Sequence, residues 1–133
     1  MGRARMTDLP RALVLDEPLS LWGGMDPATG EVIDAHHPQR GVNLAGRVVV
    51  MRSGRGSSSS ASVLAEAVRA GTAPSAILLG EPDLILSIGA AVAEELYGVR
   101  VPVVVLPPER LAAIADGDPV DLDHADPPAG NGP

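Results

Sequence analysis

The segment of this sequence best suited to chemistry is Gly54-Arg55-Gly56-Ser57-Ser58-Ser59-Ser60, set between a short apolar run and an apolar-periodic one. Glycines at such a corner let the backbone turn sharply and approach a ligand. A helix start that follows leaves N–H groups unpaired and pointing outward, which suits a carboxylate or a phosphate. Two familiar anion loops are excluded. The lysine and spacing of GxxxxGK[ST] are missing, and so is the third glycine of GxGxxG. A serine run after glycine is also the composition of a linker, and serine is a common helix cap. On the residues alone, the anion-site and linker-or-cap readings both stand. A self-contained serine hydrolase is disfavoured, because no GxSxG elbow is present and the histidines lie in an N-terminal loop.

Other residues invite weighing. Asp26 sits in Asp26-Pro27-Ala28-Thr29-Gly30, where an aspartate commonly accepts from its own backbone. Its alternative role is to line an interface and orient a catalytic group. His36-His37 suggests a metal pair, but adjacent side chains diverge and no cysteine completes a site. His37 is therefore read as a contact to a partner or substrate. Trp22, beside two glycines, reads as either a core anchor or an interface contact, with the core reading favoured. Glu66, Glu94 and Glu95 are expected on solvated helix faces.

The elements that position these residues follow from periodicity. Residues 11–16 predict a first strand, 19–22 a short second one, and 31–35 a third after the turn at 25–30. Residues 47–51 form a short, continuously apolar run and predict a buried strand leading into the serine segment. From about Ser60 the pattern is helical, with Val63, Leu64, Ala67 and Val68 on one face until Gly71. Residues 76–79 predict a strand, 86–96 a helix despite Gly89, 101–106 a strand and 108–115 a short helix. Residues 119–122 are expected to add a last edge strand. Early strands joined by turns, then strand–helix–strand–helix–strand, predict an α/β fold with a mixed, barrel-like sheet and helices outside. Residues 1–10 and 124–133 are expected to be a mobile N-terminus and a disordered tail around one domain spanning 11–123.

Composition narrows the function classes. The 133 residues are 45% hydrophobic and 20% charged, which fits one globular domain. There is no Phe, one Trp and one Tyr, so bases cannot be stacked on an aromatic platform. A net charge of −7 argues further against nucleic acid. All 10 basic residues are arginine, the side chain that grips carboxylates in bidentate fashion. Cysteine is absent, so the chain supplies no thiolate to zinc or an iron–sulfur cluster. Residues 1–10 carry no apolar signal region, and no apolar stretch spans a membrane, so a cytoplasmic protein without a membrane partner is expected.

From Pro18 to Leu106 the sequence resembles the swivel domain of the aconitase X family, which also occurs as a separate small subunit. The matching pieces are Pro18-Leu19-Ser20, Gly24-Met25-Asp26-Pro27-Ala28-Thr29-Gly30 and His37-Pro38, then Gly46-Arg47, Gly54-Arg55-Gly56-Ser57-Ser58-Ser59 and Gly71-Thr72-Ala73-Pro74. One consistent order over that length is more specific than any single motif.

The resemblance implies a single swivelling β/β/α domain that closes over a larger, cysteine-bearing subunit to form a heterodimer. That large subunit would hold iron or an iron–sulfur cluster, and this chain no cofactor or metal. The implied reaction is dehydration of a small hydroxy acid. Ser57 matches the serine that takes the proton from carbon, and Ser58 a position that helps hold a substrate carboxylate. Gly56, Arg55 and Ser59 complete the implied binding loop. Where aconitase proper has arginine after the two serines, this chain has Ser59, so an arginine contact must come from Arg55, Arg52, Arg40 or the partner. Two substrate classes are implied, cis-3-hydroxy-L-proline and mevalonate 5-phosphate. The Ala-, Arg-, Gly- and Pro-rich, lysine-free composition favours the first. A non-catalytic binding module on the same fold is the competing class.

Overall fold

The structure, a computed structural model, describes residues 8–55 and 58–122. Four strands, β1 Ala12–Val14, β2 Val48–Met51, β3 Ala76–Leu79 and β4 Val103–Val105, lie side by side in that order and all run parallel. Val50 pairs with Val14 on one side and Leu78 on the other, and Leu78 pairs in turn with Val104. Both central strands are buried at every residue. That is why they read as unbroken apolar runs, since a parallel strand is covered on both faces.

Side chains alternate between two cores, as the pleat requires. Leu13, Val49, Met51, Ile77 and Leu79 face the crossover helices α2 (Ser59–Ala70) and α3 (Leu84–Tyr97), meeting Leu64 and Ala67 from the first and Leu86 and Ala90 from the second. Ala12, Val48, Val50, Ala76 and Leu78 face the other way. There they meet Leu106 and Val120, with Leu111 of α4 (Pro108–Ala112) packed alongside. Both crossovers thus lie on one side of the sheet, as successive right-handed β–α–β units place them.

The fold is α/β as expected, but several early elements differ. Residues 19–22 are no strand. Leu19 is buried, and α1 (Leu21–Gly24) is an irregular turn in which Gly23 takes φ 81°. Trp22 is 57% exposed and does not anchor the core. Residues 31–35 form only isolated bridges, Met25 to Val32 and Glu31 to Asn43: the segments 24–26 and 41–44 pair with residues 30–33 on either side, but too briefly to make a ladder. Residues 119–122 contribute one antiparallel bridge, Pro119 to Arg11. Antiparallel pairing among the described residues is confined to these bridges, so the sheet of named strands is parallel rather than mixed. Of the expected mobile ends, residues 1–7 and 124–133 lie outside the described residues, as does Asp123.

Candidate functional site: the serine loop

β2 ends at Met51, and the chain leaves the C-terminal edge of the sheet through Arg52, Ser53, Gly54 and Arg55. Gly56 and Ser57 lie outside the described residues, and the chain re-enters at Ser58 to begin α2. In open parallel sheets this edge is where ligands are met. The strand-to-helix setting of the loop was legible in the sequence.

The serines that follow have separate roles. Ser58 occupies the cap position, yet its backbone is helical and its side chain makes no capping hydrogen bond. An ordinary serine cap is extended and accepts from the second or third helical N–H, so the cap reading does not hold at Ser58. Ser58 and Ser59 are exposed. Ser60 is 4% exposed, and its Oγ accepts from the Trp22 N–H at 3.2 Å and lies 3.4 Å from Ser20 Oγ. Ser60 is therefore a structural pin. No acidic residue occupies the first turn of α2, so that turn supplies no carboxylate to the positive end of the helix dipole.

The arginines beside the loop diverge. Both Arg52 and Arg55 are exposed, and the salt bridge among the described residues joins Arg69 to Glu66, not either of these. Arg55 lines a hollow of about 10 Å³ with Leu21, Gly54, Ser60, Asp83 and Leu86. That space holds about one water-sized sphere. Arg52 lines a wider cleft of about 610 Å³ on the α4 side, with Val14, Glu81 and Leu111. Arg40, the third candidate, is exposed on the loop that follows His37.

Asp83 is a neighbour that the sequence reading missed. Its Oδ1 accepts from the Leu86 N–H at 2.9 Å and so caps α3. Its Oδ2 occupies the space a side chain on Gly54 would need, and Leu86 covers the same glycine. Glu81-Pro82-Asp83 ahead of an apolar run is a readable helix start, and placing that start at Leu86 hid it.

Asp26 and His37 are not gathered at the loop. Asp26 Oδ1 accepts from the Ala28 N–H at 2.9 Å, and its carbonyl accepts from Gly30 at 2.7 Å. Thr72, just past α2, donates from Oγ1 to the Pro27 carbonyl at 2.6 Å. The aspartate turn is thus tied to the C-terminal end of a 12-residue helix, about 18 Å long, whose other end carries the serines. His37 is 5% exposed. Its Nδ1 accepts from the Gln39 N–H at 3.0 Å, which leaves Nε2 to donate to the Glu17 carbonyl at 2.9 Å. With both nitrogens engaged, His37 holds two loops together.

No group of three His, Asp or Glu side chains among the described residues could hold a metal, and the sequence has no cysteine. The residues present do not fit an iron–sulfur cluster. Among the described residues no helix is long and apolar enough to cross a membrane.

Comparison with known proteins gives this geometry a context. Residues 10–127 match the family model described as aconitase X swivel domain. The cis-3-hydroxy-L-proline dehydratase of Pseudomonas aeruginosa is 54% identical over 88 residues, 66% of this chain and 15% of that protein. The phosphomevalonate dehydratase small subunit of Methanopyrus kandleri is 44% identical over 82 residues, 62% of this chain and 61% of that subunit. This chain thus spans a small part of the first relative and less than two-thirds of the second. The crystal structure of Thermococcus kodakaraensis aconitase X superposes with a TM-score of 0.71 at 31% identity, over 81% of this chain and 76% of that one. A match over that length, with the serine loop leaving a parallel sheet into a helix, makes this chain a member of the aconitase X swivel-domain family.

Proposed function

We propose that this chain is the small, serine-bearing part of an aconitase X-type dehydratase, completed by a larger subunit that closes over the serine loop. The observation that carries the reading is an incomplete site. Exposed Ser58, Ser59 and Arg55 meet an uncapped helix start at the ligand-binding edge of the sheet, yet the hollow beside them has room for about one water. A second polypeptide is needed to wall off a substrate. Two exposed apolar side chains beside the loop suit such a contact: Trp22, bonded through its N–H to Ser60, and Leu84, which follows Asp83.

In this reading Ser57 is the base. A serine hydroxyl is a poor base in water and must lose its own proton before it can accept one. The helix start and the Arg55 guanidinium stabilise the resulting alkoxide, and exclusion of water strengthens both effects. The alkoxide takes the proton from the carbon bearing the substrate carboxylate, and hydroxide departs from the neighbouring carbon as the double bond forms. Ser58, with the backbone at Gly56, holds the carboxylate, and Ser59 and Arg55 border it. Any iron is assigned to the cysteine-bearing partner, since this chain has no cysteine and its described residues form no ligand set for it.

We assign cis-3-hydroxy-L-proline as the substrate, supported by the 54% identity to a dehydratase of that name. Mevalonate 5-phosphate is the second choice, favoured by the separate-subunit organisation named for the Methanopyrus relative. Co-expression with the neighbouring large-subunit gene, followed by anaerobic assay of both compounds with iron supplied, tests the reading. Dehydration that needs both chains and is lost in Ser57→Ala is expected. Activity of this chain alone, or full activity of Ser57→Ala, overturns it.

A further inference from the structure

The start of the serine loop is held from the β3–α3 turn at two points. The Gly80 N–H donates to the Arg52 carbonyl at 2.9 Å, and the Asp83 carboxylate lies over the Cα of Gly54. Both points precede the residues that carry the proposed chemistry by only a few positions. The carboxylate is shared between two elements: Oδ1 takes the Leu86 N–H and fixes the first turn of α3, while Oδ2 faces the glycine and among the described residues takes no hydrogen bond. Oδ2 occupies the space where a Cβ on residue 54 would stand, so this close approach depends on the glycine and a side chain there would push the carboxylate away. Asp83 also lines the hollow that Arg55 and Ser60 share, so its charge sits at the base of the loop.

We propose that Asp83 is the positioning residue of the serine loop: through its contact with Gly54 it fixes where the chain from Arg55 onward leaves the sheet. The inference rests on the reading of Ser57 as the base, because it assigns the carboxylate a role in aiming that serine. Asp83 does not touch the substrate. Its capping duty alone needs only an oxygen within reach of Leu86, which Asn and Ser supply about as well as Asp. The second oxygen, over Gly54, is the part that capping leaves unexplained.

That division sets the test. Asp83→Asn keeps the cap and the volume but permits an NH₂ group over Gly54. Asp83→Ser keeps the cap and withdraws from the glycine. Asp83→Ala loses both. Each is measured three ways: by melting temperature, by backbone amide shifts of Gly54, Arg55 and Ser58 in the ¹⁵N-labelled chain, and by kcat of the two-subunit complex. The expected result is that Asn and Ser variants melt close to the parent while the three amides shift and kcat falls about 10-fold or more. Misplacement of a reacting group by an ångström costs up to about 100-fold. Unmoved amides in both capping variants, or moved amides with parental kcat, overturn the proposal and leave Asp83 a plain cap. If the parent complex dehydrates neither compound, the functional reading falls instead, and the amide shifts decide by themselves whether Asp83 positions the loop.

Discussion

Gly89 of α3 packs directly on Ala61 of α2, so that a Cβ on the glycine would stand 2.9 Å from both the Cα and the carbonyl oxygen of Ala61. The two crossover helices are this close because one of them has no side chain at the contact. Gly89→Ala gains up to about 1 kcal/mol of helix propensity. The clash is with backbone, which yields poorly, and overpacking of this kind costs about 1–3 kcal/mol. Urea unfolding is expected to show a net loss of about 1 kcal/mol for Ala and a larger one for Val. A gain in stability would mean that the helices do not meet at this glycine.

The serines of the loop are expected to separate into two kinds. Ser57→Ala should lower kcat of the complex by about 10²–10⁴-fold, the range of general-base help, with an unchanged melting temperature. Ser60→Ala should do the reverse. It removes a buried acceptor from the Trp22 N–H and should cost about 1 kcal/mol in denaturant unfolding. Parallel kinetics and melts on both variants check the division.

His37→Ala leaves the Glu17 carbonyl and the Gln39 N–H without their partner in a buried setting. A loss of about 1–3 kcal/mol is expected. Michaelis kinetics of the complex should show little change in KM, whereas a large KM effect without destabilisation would make His37 a substrate contact after all.

Arg69 donates from Nε to Glu66 Oε1 at 2.9 Å on the exposed face of α2, and this hydrogen bond holds the Glu66 carboxyl below its ordinary pKa. A depressed carboxyl stabilises the fold above its unfolded pKa and loses that contribution as pH falls through the folded value. The pair is solvated and close in sequence, so its contribution is small and screened by salt. NMR titration should place the Glu66 midpoint below the usual glutamate value at low ionic strength. Arg69→Ala or added salt should return it upward.

The single tryptophan is exposed, next to the start of α2. With 5-fluorotryptophan incorporated only in this chain, binding of the large subunit should shift and broaden the ¹⁹F signal of Trp22. An unchanged signal in a complex proven to form would place the docking face elsewhere.

The second half of the fold was legible because its elements announce themselves locally. Residues 76–79 are apolar throughout and stop at Gly80, and they form β3 over that span. The run 63–68 has helical spacing and ends at Gly71, whose φ of 80° closes α2. The stretch 19–45 was less legible, because its order is imposed from outside. Residues 31–35 alternate like a strand but find single bridges, and Leu19 is buried by tertiary packing rather than by sheet pairing. Trp22 misled for a related reason: a large aromatic is usually sheltered, and here only its backbone is held, by Ser60. Within the candidate site, the loop and its arginines were readable as a segment. The carboxylate beneath it was not, because Asp83 and Gly54 are joined only by the β2–α2–β3 path folding back on itself.

The pin at Ser60 gives the exposed indole mechanical leverage. Its hydroxyl oxygen ties the Trp22 backbone to the opening turn of α2 and lies beside the hydroxyl of Ser20. Whatever leans on the tryptophan therefore pulls on the same rung from which the helix rises, and a force applied at the rim is delivered at its foot.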